Sequence, residues 1–233
     1  MEETLKVANI LSDPTRYYIY QYIARRHKDV SVSEVAELFD IHPNVARLHL
    51  SKLEDGHMLV SDTQKTGKGG RPRRFYRLSD EVVQLNFPNR DYQTLAKMAI
   101  ETMMSLGDAG NEALFKTGEK YGRDLAYHYA AEIDAEPENL SFDHKLAILK
   151  EVSEKAGFSP EFYIPANQTD IQFKVFNCPF KEIAAEHQEA VCGTHHAFIR
   201  GMFNALFESV EMHAEDNMIS GCPACVYRIQ TTH

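Results

Sequence analysis

The order of helix and strand signals in the first third of the chain most restricts its fold. A helical repeat of apolar residues is interrupted at Asp13 and Pro14, where a new helix can begin with proline in its first turn. Residues 31–34 form the S-x-x-E pattern of a capping box, and Pro43 starts another helix that ends near Gly56. Two short helices joined by about four residues have the spacing of a helix-turn-helix.

Two strands are predicted after these helices, at 58–60 and 75–78, and a loop rich in glycine and basic residues separates them. The loop 64–74 contains three glycines, and six Lys and Arg residues fall between Lys65 and Arg77. Basic side chains on such a loop can lie along DNA phosphates and release bound counterions. The pattern therefore predicts a winged helix-turn-helix that binds double-stranded DNA.

The charge distribution agrees with a DNA-binding N-terminal domain. Residues 1–80 carry 13 Lys and Arg against 11 Asp and Glu, whereas residues 81–233 carry 12 against 23, so the net charge of −9 does not describe the predicted binding face. In the last of the three helices, asparagine and arginine suit paired hydrogen bonds to adenine and guanine edges. The DNA-facing candidates are Asn44, Arg47, His49, Ser51 and Lys52 in this helix, and Lys65, Lys68, Arg71, Arg73 and Arg74 in the wing.

The remaining sequence predicts an α+β chain with three segments. The winged helix-turn-helix covers 1–87, a helical linker or dimerisation segment covers 88–158, and an α+β cysteine-rich domain covers 159–233. Within the last segment, 171–176 alternates apolar and polar residues as a half-buried strand does. The methionine-rich stretch 98–104 could pack against a second copy of the chain.

All the cysteines lie in the last quarter of the sequence, which indicates metal or redox chemistry there. The N-terminus lacks a signal-peptide pattern and no apolar run could span a bilayer, so we expect a cytoplasmic protein in which disulfides are rare. Four thiolates suit tetrahedral zinc, a [2Fe–2S] cluster or a [4Fe–4S] cluster, and donor softness does not distinguish them. The candidate ligands are Cys178, Cys192, Cys222 and Cys225, separated by 13, 29 and 2 residues, with His195, His196 and His213 as alternatives.

Motifs at both ends of the chain resemble a known family. The segment 11–16, Leu-Ser-Asp-Pro-Thr-Arg, resembles the opening of winged helix regulators of the ArsR/DeoR type, and the wing sequence Gly-Gly-Arg-Pro-Arg-Arg at 69–74 resembles their SufR-like branch. The C-terminal segments 177–180, 186–187, 191–192 and 225–229 are similar to the signature of SufR-type regulators.

This resemblance implies a homodimeric repressor of cluster-assembly genes that holds an iron–sulfur cluster. It also implies that the cluster-bound form binds the operator and that cluster loss releases it. Cys178, Cys192 and Cys225 match the family's ligand positions, whereas Cys222 departs from the pattern and the fourth ligand stays open.

Two other functions are compatible with the residues. One is a zinc-dependent winged helix regulator. The other is a thiol redox enzyme that uses the C-x-x-C motif of Cys222 and Cys225, although no βαβ start precedes this motif. We expect the chain not to be an enzyme.

Overall fold

The computed structural model describes residues 2–64, 72–83, 85, 88, 90–132, 140–165 and 170–232, which divide into two compact units. Unit 1 comprises residues 1–90 and unit 2 comprises residues 91–233. The mixture of helices and antiparallel sheets confirms the predicted α+β class. The predicted helical segment 88–158 is not a separate unit, because residues 91–233 form one unit and buried residues between 126 and 158 share a core with the C-terminal strands.

Unit 1 begins with helices whose first turns are capped by the predicted residues. It contains α1 (Glu2–Leu11), α2 (Pro14–Arg26), β1 (Val30–Ser31), α3 (Val32–Leu38), α4 (Pro43–Asp55), β2 (Leu59–Gln64) and β3 (Arg73–Leu78). Asp13 caps α2 by accepting a hydrogen bond of 3.0 Å from the Arg16 N–H. Ser31 caps α3 by accepting one of 3.2 Å from the Glu34 N–H.

The capping box at α3 is only half formed. The Glu34 carboxylate accepts hydrogen bonds from the Tyr22 hydroxyl at 2.8 Å and from Arg26 at 3.0 Å. These contacts tie α3 to α2. The local sequence predicted the Ser31 cap, whereas tertiary packing turns the Glu34 carboxylate towards Tyr22 and Arg26 of α2.

A small antiparallel sheet and the helices enclose the core of unit 1. The strand order is β1-β3-β2, with Val30 opposite Tyr76 and Leu59 opposite Leu78. Tyr76 and Leu50 are fully buried. The helix-turn-helix pair α3 and α4 and the hairpin β2-β3 are thus held by one apolar core, as the sequence predicts.

Unit 2 is a four-stranded antiparallel sheet whose core is shared with long helices. It contains α5 (Tyr92–Met104), α6 (Asp108–Glu132), α7 (Phe142–Lys155), β4 (Pro160–Tyr163), β5 (Asp170–Val175), α8 (Lys181–Glu186), α9 (Gln188–Asn204), β6 (Ser209–Asp216), a 3-10 turn (Met218–Ser220) and β7 (Cys225–Thr232). The strand order is β4-β5-β7-β6. Ile171, Phe173 and Val175 of β5 are fully buried, which confirms the predicted alternation.

Helices α6 and α9 approach until their backbones touch. A Cβ atom at Gly122 would lie 1.9 Å from the Phe198 carbonyl oxygen, and one at Gly201 would lie 2.1 Å from the Glu119 carbonyl oxygen. Beside this crossing, the Glu119 carboxylate accepts hydrogen bonds of 2.6 Å from Arg200 and 3.0 Å from Arg123. The close approach of α6 and α9 therefore requires glycine at the crossing, and the ion pairs of Glu119 orient α9.

Among the described residues, the helices are all too short or too polar to cross a lipid bilayer.

Candidate DNA-binding surface and cysteine cluster

One face of α4 presents polar side chains to solvent. Asn44, Arg47 and Lys52 are exposed, and Ser51 is half-buried. Arg47 donates a hydrogen bond of 2.8 Å to the Asn44 side-chain oxygen, so the two groups that can pair with base edges are held together. The N-terminus of α4 is capped by His42, whose Nδ1 accepts a hydrogen bond of 3.2 Å from the Asn44 N–H.

His49 does not lie on this exposed face, so its prediction as a DNA-facing residue is wrong. Its side chain is buried, with Nδ1 4.0 Å from an Asp13 carboxylate oxygen. Burial lowers the pKa of His49, and the nearby Asp13 opposes that shift. Helical spacing could have indicated this burial, because position 49 adjoins the apolar stripe of Ala46, Leu50 and Leu53.

The wing contributes two arginines to the described residues, and they have different surroundings. Arg73 is exposed. Arg74 donates hydrogen bonds of 2.8 and 2.7 Å to the two carboxylate oxygens of Glu54 and lies 5.3 Å from the centre of the Tyr76 ring. Arg74 therefore anchors β3 to the last turn of α4. The other predicted wing contacts, Lys65, Lys68 and Arg71, lie outside the described residues.

An open groove of about 610 Å³ runs between the wing and the first turns of α3 and α4. Arg47, Arg73 and Arg74 line it, together with Ser33 and Thr63. A cleft lined by one sign of charge attracts phosphate. The hydroxyl residues of this groove were not predicted from the sequence, because they carry no charge and only the fold of unit 1 brings them beside the arginines.

In unit 2, three of the four cysteines share one neighbourhood. Burial, followed by the nearby Cys225 and Cys192 thiols, raises the pKa of Cys178 to about 11. Burial also raises the pKa of Cys192, and Cys225 adds to that shift as well. Cys178 lies between β5 and α8, Cys192 lies in α9, and Cys225 begins β7. The fold thus brings thiols from three distant parts of the sequence together.

The Cys222 thiol lies beside a carboxylate. Its Sγ lies 3.7 Å from an Asp216 carboxylate oxygen, and the residue is half-buried, whereas Cys225 is buried and its Sγ accepts a hydrogen bond of 3.4 Å from the Met218 N–H. The two cysteines of the C-x-x-C motif therefore have different partners. The predicted set of four separates into a group of three and Cys222.

His195 is the imidazole beside this group. Its Nδ1 lies 3.7 Å from Cys178 Sγ, and burial between aromatic rings, including Phe158 at 4.8 Å, lowers its pKa to about 4. Its ring is therefore neutral at physiological pH, as a metal ligand must be. Of the other two alternatives, His213 is exposed beside Glu211, and His196 lies 5.8 Å from the Tyr227 ring.

The donor chemistry of this neighbourhood fits a soft metal. All four cysteines are free thiols. Within the described part of the chain, His, Cys, Asp and Glu side chains form no group of three that could hold a metal ion as they stand. Side-chain rotation would therefore have to bring Cys178, Cys192 and Cys225 to one centre. Three thiols and a neutral imidazole are ligands that zinc and iron–sulfur centres use.

A family model described as a helix-turn-helix domain matches residues 11–61, which contain α2, α3 and α4. No curated protein sequence matches the chain.

Three solved structures are similar to parts of the chain. Subunit 3 of the trafficking protein particle complex of Naegleria fowleri, covalently bound to palmitic acid, is 17% identical over 60% of this chain and 97% of its own, with a TM-score of 0.42. The phenol-responsive sensory domain of the transcription activator PoxR, with phenol, is 15% identical over 79% and 89%, with a TM-score of 0.44. Bacillus subtilis PadR in complex with operator DNA is 17% identical over 62% and 93%, with a TM-score of 0.25.

At these TM-scores the structural likeness is partial and assigns no function to the chain. The family model agrees with the geometry of α2, α3 and α4, and the β2-β3 hairpin begins at the end of the matched residues and forms a wing. The N-terminal unit of this protein is a winged helix-turn-helix domain of the kind found in DNA-binding transcriptional regulators.

Proposed function

We propose that the chain is a transcriptional repressor that binds operator DNA through unit 1 and holds an iron–sulfur cluster through thiols of unit 2. The observation that carries this proposal is the shared neighbourhood of Cys178, Cys192 and Cys225, in the unit that does not contain the DNA-binding motif. Cys222 or His195 is the candidate fourth ligand. The sign of regulation and the cluster-assembly target genes follow from the family resemblance.

The three thiols lie in or beside different elements of unit 2, so a shared metal would link these elements. Cys178 precedes α8, Cys192 lies in α9 and Cys225 begins β7, so ligation to one centre would tie the α8-α9 region to the sheet. The cluster would supply sensitivity to oxidants and to iron supply. Moving a two-state equilibrium from 99:1 to 1:99 needs about 5.5 kcal/mol. Thiolate–metal binding can supply this, since structural zinc sites contribute about 10–16 kcal/mol.

A zinc-dependent regulator is the second candidate, and the position of His195 favours it. A neutral imidazole 3.7 Å from the Cys178 thiol would complete a Cys₃His set, which is a common structural zinc site. A colourless protein with one tightly bound zinc per chain would support this candidate. The thiol redox enzyme has less support, because Cys225 is buried and a dithiol catalyst needs accessible sulfur.

Anaerobic purification followed by absorption spectroscopy and by iron, sulfide and zinc analysis tests the ligand set. Cys178→Ser, Cys192→Ser and Cys225→Ser variants are each expected to lose the bound metal and the visible absorbance. Cys222→Ser decides the fourth ligand, since retention of the cluster would exclude Cys222. Retention of a full cluster by all three of the first variants would show that the ligand assignment is wrong.

DNA affinity tests the regulatory part of the proposal. Duplexes selected from a random library by the anaerobic protein serve as the probe, and their affinity is compared for the metal-bound and metal-free forms. We expect the metal-free form to bind at least about tenfold more weakly, a difference of about 1.4 kcal/mol. Equal affinity of the two forms under oxygen-free conditions would contradict regulation by the metal.

We also propose that the protein acts as a homodimer, because helix-turn-helix regulators bind two half-sites related by two-fold symmetry. The exposed apolar face of helix α5 supports a dimer, since Tyr92, Leu95 and Met98 are each more than 60% exposed. A second copy of the chain would cover these side chains. Sedimentation equilibrium is expected to give the mass of two chains, and a monomer at micromolar concentration would contradict the proposal.

A further inference from the structure

Two large apolar side chains are exposed on α4, among the polar residues of its DNA-facing surface. Leu48 is 57% exposed and Val45 is 41% exposed. An exposed leucine alone needs no explanation. The position of Leu48 and Val45 on the second helix of the helix-turn-helix does need an explanation, because this helix enters the major groove in proteins that use the motif.

Helical geometry places Leu48 near the middle of the exposed face. With about 3.6 residues per turn, Leu48 lies one turn after Asn44 and one turn before Lys52. Val45 lies at one edge of the face and Arg47 at the other. The opposite side of the helix is buried against the core through Ala46, His49, Leu50 and Leu53. Leu48 therefore projects away from the core and towards the groove that the helix would enter.

The surroundings of these two residues indicate what they contact. Arg47 and Arg73 line the adjacent groove and Lys52 is exposed on the same helix face, so three basic groups that suit phosphate lie around Leu48, while the exposed Asp55 lies two turns further along the helix. In the floor of the major groove, the 5-methyl group of thymine is the apolar feature that base edges offer. An apolar side chain set within a basic surface thus matches thymine within a phosphate-lined groove.

We propose that Leu48, assisted by Val45, contacts thymine methyl groups in the major groove and thereby sets a preference for thymine at defined operator positions. Asn44 and Arg47, joined by their hydrogen bond of 2.8 Å, would read the neighbouring base edges. This inference rests on DNA binding by unit 1, as in the proposed function. It does not depend on the metal.

Replacement of thymine by deoxyuracil tests the contact, because uracil keeps the base pair and loses only the methyl group. A duplex is selected from a random library by the anaerobic wild-type protein, and each thymine is then replaced in turn. For the wild-type protein we expect about fourfold weaker binding for each contacted methyl, equivalent to about 0.8 kcal/mol. For Leu48→Ser we expect the loss at its contacted positions to disappear.

Leu38→Ser is the matched control, because Leu38 is equally exposed, at 55%, but ends α3 rather than lying on α4. It is expected to keep the wild-type sensitivity to uracil, and circular dichroism verifies that both variants are folded. Equal binding of thymine and uracil duplexes by the wild-type protein would overturn the inference. So would an unchanged uracil effect in Leu48→Ser. Failure to enrich any duplex would instead overturn DNA binding itself, and the inference with it.

Discussion

The Gly122→Ala variant is expected to unfold at a lower urea concentration than the wild-type protein, with a net loss of about 2 kcal/mol in unit 2. Alanine in a helix interior gains about 1 kcal/mol over glycine from intrinsic propensity. The added Cβ would lie 1.9 Å from the Phe198 carbonyl oxygen, a backbone atom that cannot rotate away. Overpacking costs about 1–3 kcal/mol or more, and here α9 must move as a whole, so the steric cost exceeds the gain.

Thiol labelling during urea unfolding reports on this variant, because all four cysteines lie in unit 2. Circular dichroism follows both units in parallel. Thr117→Ala is the control, since Thr117 is an exposed position on the same helix and its replacement by alanine should be neutral or slightly stabilising. A Gly122→Ala protein as stable as Thr117→Ala would show that α6 and α9 do not touch at this crossing.

Leu50→Ala is expected to destabilise unit 1 by about 2–5 kcal/mol and to weaken DNA binding through loss of folded protein. Leu50 is fully buried in the core beneath α4, so its truncation leaves a cavity. A domain is stable by only about 5–15 kcal/mol, so this loss is a large fraction of the total. Urea unfolding monitored by circular dichroism measures the change, and titration of a selected duplex measures the binding.

Leu48→Ala is the control that distinguishes loss of folded protein from loss of a DNA contact, because Leu48 lies on the same helix with its side chain exposed. Its stability should stay within about 0.5 kcal/mol of the wild-type value, as surface substitutions usually do. Similar destabilisation by the two substitutions would mean that α4 is rotated relative to the core described above.

Elements with strong local signals could be predicted from the sequence. Asp13 and Ser31 cap their helices because a short polar side chain can accept a hydrogen bond from an N–H two or three residues ahead. The alternation of Ile171, Phe173 and Val175 was visible because successive strand residues face opposite sides. These interactions form between residues only a few positions apart, so a short stretch of sequence is enough to predict them.

The candidate sites were predicted less completely. The wing arginines 73 and 74 are adjacent, chemically identical and both exposed, yet Arg74 is held by the Glu54 carboxylate. His49 was assigned to the DNA-facing surface because it is polar, although its neighbours on the helix are apolar and buried. Residue type predicted what these side chains could bind, and packing decided that His49 is buried and that Arg74 pairs with Glu54.

By itself the sequence determined the class of the N-terminal domain, the ends of its helices and the presence of four thiols suited to metal. Only the tertiary structure decided that Cys178, Cys192 and Cys225 lie together while Cys222 faces Asp216, and that glycines let α6 and α9 meet. The physical reason is distance along the chain. Caps and alternation arise from neighbours in sequence, whereas proximity between residues 14 to 82 positions apart, as in the cysteine group and the α6-α9 crossing, depends on how the whole core packs.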